Sequence, residues 1–322
     1  MYLTAPSAPP MNPAYSKFAN VPAEISEDIY AGRNEIIRQH MDEHEARVCL
    51  ILDVSASMQN PNCFFDDPIK GNQVQLLINK ALALAFLFDD NQQIEVFPFG
   101  DEVFAPIILD RNNFMNATEL VMRSIGNEFR KTTNYAAPIK AIREYYFKDI
   151  GRRTMKQQCS DPPVFSIFIT DGEPNVKKIE AMNEFTSASH QAIFFKFIAL
   201  KGKQTDIGFT YLQSIDDHEV KQFENDNSDA FYVDNSDLVV LNNPDELTME
   251  KLIHEYRGWL IEAKEKGILL HDPRVGNISN RDREGRIVSH KPILSPYEAW
   301  GDKLQPTSGG TYYDKDKRCC IL

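Results

Sequence analysis

Two periods alternate along the chain. Residues 48–52, Val-Cys-Leu-Ile-Leu, form an unbroken apolar run, too short for an independent helix and suited to a strand buried on both faces. The runs at 164–169 and 192–200 have the same character, and 94–99 alternates as a strand does. Shorter strands are expected within 103–112 and at 230–233. Between the strands the period lengthens. Val74, Leu77, Ile78, Leu82, Ala85 and Phe86 recur at helical spacing over 73–88. Further helices are predicted over 24–46, where Ile25, Ile29, Ile36 and Ile37 make a partial stripe, and near 117–126, 135–148 and 175–189. A short element starts at Leu212, and a long helix over 249–266 stops at Gly267, a residue suited to a C-terminal cap.

Strands that alternate with helices predict an α/β fold: a doubly wound, mostly parallel central sheet with helices on both faces. The pattern divides the chain into a Pro-rich leader and N-terminal helix (1–44), one large domain (45–268) and a polar, largely extended tail (269–322). Tyr297 and Trp300 are the tail residues expected to pack back. No internal repeat is visible.

Composition narrows the function classes. A formal net charge of −12 over 322 residues argues against general affinity for nucleic acid. No apolar run approaches the roughly 18 residues a spanning helix needs, and the first residues lack the basic and apolar regions of a secretory signal. Five cysteines at irregular spacing form neither a disulfide framework nor a zinc pattern, which favours a reducing, cytoplasmic setting.

Candidate chemistry gathers where strands end. The run 48–52 leads into Asp53, with Ser55 and Ser57 at alternate positions after it; Asp171 follows a second strand, and Thr133 precedes a helix between them. Carboxyl ends of strands and amino ends of helices share one edge of a parallel sheet, where open α/β folds bind ligands. Two carboxylates and three hydroxyls make a hard, oxygen-only donor set that suits Mg²⁺ or Mn²⁺ better than zinc and leaves a position for an outside ligand. The Asp53 side chain is expected at the rim of the sheet rather than in the core.

These positions resemble the metal-ion-dependent adhesion site (MIDAS) of von Willebrand factor A (vWA) domains. Asp53-Val54-Ser55-Ala56-Ser57 matches its Asp-x-Ser-x-Ser, Thr133 its loop Thr, and Thr170-Asp171-Gly172 its Thr-Asp-Gly turn. Phe88-Asp89-Asp90, the segment 94–100 and the segment 194–198 resemble the branch found in bacterial tellurite-resistance and stress-response proteins. The resemblance covers roughly 45–268. It implies that Asp53 (in part through water), Ser55 and Ser57 hold the ion, and that Thr133 and Asp171 complete the protein shell. An acidic side chain of a protein partner would take the open position, giving recognition without catalysis. The chain departs from the family at Lys131-Thr132, where two glycines usually precede the loop Thr.

A metal-dependent hydrolase or phosphatase is the alternative, but the second position of the motif is Ser55 rather than Asp, and no nucleophile elbow or phosphate loop is present. His40-Met41-Asp42-Glu43-His44 fits His-x-x-Glu-His, against which a solvated helix face is the plainer expectation. The carboxyl-terminal Cys319-Cys320-Ile321-Leu322 fits a prenylation signal, which would attach the chain to a membrane surface, against an unmodified exposed tail.

Overall fold

The structure is a computed structural model. It describes residues 22–41, 44–59, 62–67, 71–89, 91–149, 151–202, 209–217, 232–270, 304–306 and 312–314. A first helix, α1 (Ala23–Arg38), precedes strand β1 (Arg47–Asp53), a single helical turn α2 (Ala56–Gln59) and helix α3 (Gln73–Phe88). Then come β2 (Ile94–Phe99), β3 (Ile107–Leu109), α4 (Ala117–Ser124), α5 (Ala136–Phe147), β4 (Val164–Thr170), α6 (Lys178–Ala188) and β5 (Ile193–Leu200). The domain closes with α7 (Thr210–Asp216), β6 (Ser236–Leu241), α8 (Met249–Ile253) and α9 (Tyr256–Glu265). The tail adds a short antiparallel pair, β7 (Leu304–Pro306) and β8 (Tyr312–Asp314). The rest of the tail, including Tyr297, Trp300 and the Cys319 motif, lies outside the described residues.

The six-stranded sheet has the order β3-β2-β1-β4-β5-β6, and only β3 runs antiparallel. This is the doubly wound α/β architecture. Strand β1 sits inside it, paired with β2 and β4. Because strand side chains alternate, each apolar run feeds two cores. Val48, Leu50 and Leu52 join Phe165, Ile167, Phe194 and Ile198 on one face. Cys49 and Ile51 join Phe168, Phe195 and Phe197 on the other. Helices α1, α3 and α9 cover the first face, and α5, α6 and α7 the second.

Helix α3 is buried almost all round, since α1 lies over its outer side. The two helices approach so closely that a Cβ on Gly32 would sit 2.5 Å from Leu87 Cδ1. Thus α1, which the sequence pattern leaves outside the 45–268 domain, contributes Ile25, Ile29 and Ile36 to its core. The second face is tied by Arg143, fully buried, which ion-pairs with Glu184 and donates from Nε to Gln191 Oε1 at 2.8 Å. Lys196, the charged residue in the Phe-rich β5, is buried against Asp237 of β6 in an ion pair.

Three expectations need correction. The last strand of the large sheet is β6, later than the 230–233 expected: its pairing starts at Asn235, whose carbonyl accepts from Phe195 N at 2.8 Å, while Tyr232 and Val233 form a bend and residues 230–231 lie outside the described residues. The helix over 249–266 is two helices, because Glu255 adopts φ +61° and breaks the ladder; Gly267, at φ +69°, does cap the end. The helix expected over 24–46 stops at Arg38, and His40 takes φ +56°. His44 is therefore neither helical nor solvated. Its ring packs 5.4 Å from both Phe88 and Tyr256, and its Nε2 lies 2.8 Å from the Tyr256 hydroxyl. Among the described residues no helix is long and apolar enough to cross a membrane.

If α1 is part of the core, Ile29→Ala destabilises the whole domain by about 2–5 kcal/mol, as buried Ile truncations do. Urea unfolding followed by fluorescence and by circular dichroism should then show one coincident transition; a separate early transition for the helix would contradict this packing.

Candidate functional site

The site is assembled by strand register. Leu52 of β1 pairs with Ile169 of β4, so the next residues, Asp53 and Thr170, emerge side by side. Thr170 Oγ1 donates to Asp53 Oδ2 at 2.7 Å, and the Ser55 backbone N–H donates to Asp53 Oδ1 at 2.7 Å. Behind them, the Tyr135 hydroxyl, at the start of α5, lies 3.2 Å from Thr170 Oγ1 and also donates to the Gly172 carbonyl. Burial pushes that phenol well above its ordinary range, so it stays a donor.

The loop after β1 is held by backbone. Val54 N donates to Phe99 O at 2.8 Å, Arg130 N to Val54 O at 2.9 Å, and Ala56 N to Arg130 O at 2.6 Å. This laces Ser55 alongside the loop that precedes α5. Ser55 Oγ lies 3.1 Å from Ser57 Oγ, and Ser57 Oγ donates to Asp171 Oδ1 at 2.8 Å. Asn62 Nδ2 donates to the other oxygen, Asp171 Oδ2, at 2.6 Å. Asp53, Ser55, Ser57 and Asp171 thus form one continuous hydrogen-bonded string.

Thr133 reaches the same edge on a separate loop. Its N–H donates to Asn175 Oδ1 at 3.0 Å, and Asn175 N–H donates back to the Thr133 carbonyl at 3.2 Å. The loop after β4 therefore clamps the loop before α5. Gly100, at the end of β2, makes room for it: a Cβ there would sit 2.3 Å from Arg130 Cβ. The clamp positions Thr133 without the two glycines that the resemblance leads one to expect at 131–132.

The electrostatics of this arrangement are costly. Asp53 is fully buried rather than at the rim, because the loop folds back over the strand end, and Asp171 is 1% exposed. Burial, then the nearby Asp171 charge, push the Asp53 carboxyl up to about 7; burial raises Asp171 as well. Both shifts run against the ionised form. Among the described residues no Lys or Arg ion-pairs with either carboxylate. Among the described residues, every donor that meets them is a neutral hydroxyl or amide. Two buried anions faced only by neutral oxygens and amides fit a hard divalent cation.

Asn62, Thr170, Tyr135 and Asn175 are the site residues that spacing did not reveal. Thr170 stands inside the quoted Thr-Asp-Gly turn, so its role had a signal. Asn62 and Asn175 lie in loops, and Tyr135 is the residue just before α5, where helical periodicity does not mark a site role.

Fold and site together define a von Willebrand factor A-type domain. Residues 45–269 match the family described as vWA-TerF-like, the vWA found in the TerF C terminus, and the chain belongs to that family. It is 26% identical over 233 residues to the uncharacterized protein YcbR of Bacillus subtilis (strain 168), which spans 72% of this chain and 84% of that protein. Among solved structures it is similar to a von Willebrand factor type A protein from Catenulispora acidiphila, with TM-score 0.41, 16% identity, and coverage of 70% of this chain and 43% of that one. It is also similar to proximal thread matrix protein 1 from the mussel byssus, in a form with a zinc-occupied MIDAS motif. There the TM-score is 0.38, identity 18%, and coverage 65% of this chain and 46% of that one. The chain spans less than half of each of these two structures.

The sign of the pH dependence follows from the raised Asp53 carboxyl. With metal chelated, its contribution to stability is fully present below the unfolded value of 3.8 and is lost as pH rises towards about 7, because the folded state holds the proton more tightly. Asp53→Asn removes this dependence. In EDTA, the melting temperature of the wild type relative to Asp53→Asn should fall between pH 5 and pH 7.5; a constant difference would show that Asp53 does not titrate in this window.

Proposed function

We propose that the protein is a metal-ion-dependent interaction module, an adaptor rather than an enzyme. Asp53, Ser55, Ser57, Thr133 and Asp171 hold one Mg²⁺ or Mn²⁺, with Asp53 ligating in part through water. An acidic side chain of a protein partner takes the open position. The observation that carries this reading is the buried pair Asp53 and Asp171, joined by Ser55 and Ser57 and left without a cationic side chain among the described residues.

A bound divalent ion would supply positive charge that offsets the cost of burying both carboxylates and would offer an open coordination position to an anion. The chain's own residues do the rest. Thr170 and the Ser55 N–H orient Asp53, Ser57 and Asn62 orient Asp171, and the Asn175 clamp fixes the loop that carries Thr133. Membership of the TerF-like vWA family supports a place in a cytoplasmic tellurite-resistance or stress-response system.

Metal linkage should be visible without knowing the partner. At 100-fold excess over the dissociation constant, Mg²⁺ stabilises the fold by about 2.7 kcal/mol. For a domain of this size that raises the melting temperature by roughly 5–10 °C. Asp53→Ala abolishes the shift while the protein remains folded in EDTA, since it removes an unpaired buried charge. Scanning fluorimetry with MgCl₂, MnCl₂ and EDTA reads both parts, and no Mg²⁺ or Mn²⁺ response in the wild type would end the metal reading.

The interaction role has its own test. A pull-down from native lysate should recover a partner in Mg²⁺ and lose it in EDTA or with Asp53→Ala. Robust phosphatase or peptidase turnover abolished by Asp53→Ala would instead establish the hydrolase alternative.

A further inference from the structure

Asn62 is not among the five ligands proposed above, yet it holds one of them firmly. Its Nδ2 donates to Asp171 Oδ2 at 2.6 Å, while Asp171 Oδ1 faces Ser57 Oγ at 2.8 Å. The side chain is buried and fills the space that a side chain at position 202 would need. A Cβ placed on Gly202, the second residue after β5, would sit 2.1 Å from Asn62 Oδ1 and 2.3 Å from its Nδ2. Gly202 does not occupy the left-handed region, so the absent Cβ provides space rather than conformational freedom.

We infer that Asn62, wedged between Gly202 and Asp171, is a positioning residue that holds Asp171 to one-oxygen ligation and so selects Mg²⁺ over Ca²⁺. The inference rests on the metal reading above. Mg²⁺ takes about six oxygens in a tight octahedron at ~2.1 Å, whereas Ca²⁺ takes about 6–8 at ~2.4 Å and readily accepts both oxygens of one carboxylate. Two-oxygen ligation requires both Asp171 oxygens to turn towards one ion. The amide of Asn62 turns Oδ2 towards itself, and the space that Gly202 leaves by lacking a Cβ is what seats the amide there. Asp53 is restrained in the same manner, with Oδ2 held by Thr170 and Oδ1 by the Ser55 N–H. Both carboxylates are thus oriented by fixed donors, a geometry that favours the smaller ion.

The test is titration calorimetry with MgCl₂ alone and CaCl₂ alone. It compares wild type, Asn62→Ala, Gly202→Ala and the double variant, with circular dichroism in EDTA to verify folding. Asn62→Ala should lose about 10-fold in Mg²⁺ affinity, the usual effect of removing a residue that orients a ligand. Ca²⁺ affinity should stay level or rise, so the Mg²⁺/Ca²⁺ preference falls by about 10-fold or more. Gly202→Ala alters no ligand and should shift the preference in the same direction by displacing the amide. In the Asn62→Ala background it should have no further effect. Equal losses for both ions would reduce Asn62 to a structural role and overturn this inference alone. A wild type that binds neither ion would overturn the metal reading and this inference with it.

Discussion

Two carboxylates, Asp53 and Asp171, are buried within one hydrogen-bonded string, and the surrounding structure is arranged to keep them there. Ionised and desolvated, each costs several kcal/mol. Only a stiff frame holds such groups in place. The parallel register between β1 and β4 provides it, because pairing of Leu52 with Ile169 leaves no freedom in where Asp53 and Thr170 emerge. Slipping that register by one residue would turn every core side chain of β1 to the opposite face. The cores on both sheet faces therefore fix the site's geometry as a by-product of their own packing.

The layer outside the sheet extends this argument. A nearly all-apolar α3 cannot face water, and α1 covers it through a glycine that lets the two helices touch. Below, Phe88, Phe165, Phe194, Tyr256 and Trp259 pack ring against ring beneath the inner strands. This stiffness matters for a site whose cost is electrostatic. Reorganisation of a soft frame would let water reach the carboxylates and would lower the cost that a cation is needed to offset.

How much of this was legible in the sequence depended on whether a residue belonged to a pattern. Strands β1, β2, β4 and β5 and helix α3 announce themselves by unbroken or periodic apolar runs, and the fold follows from their alternation. Asp53, Ser55, Ser57 and Asp171 were legible because they stand at fixed offsets from those runs. The failures share a cause. Edge strand β6 carries Asp237 as its second residue, a charge that conceals the strand because its partner, Lys196, lies 41 residues away. The break between α8 and α9 rests on one left-handed residue, Glu255, which composition does not mark. Asn62 and Asn175 act through single side-chain hydrogen bonds to distant loops, and such contacts have no period.

The supporting hydrogen bonds also set which lone pairs of the two carboxylates stay free. A carboxylate oxygen carries two lone pairs, so one accepted hydrogen bond uses only part of what it offers. Asp53 accepts from Thr170 on one oxygen and from the Ser55 N–H on the other. Asp171 accepts from Asn62 and from Ser57 in the same way. Each donor fixes the direction of the lone pair that remains. Turning either carboxylate would leave a buried donor unsatisfied, at about 1–3 kcal/mol. The pair is therefore held in one orientation before any ligand arrives, and the rigid strand ends that carry it make that orientation reproducible.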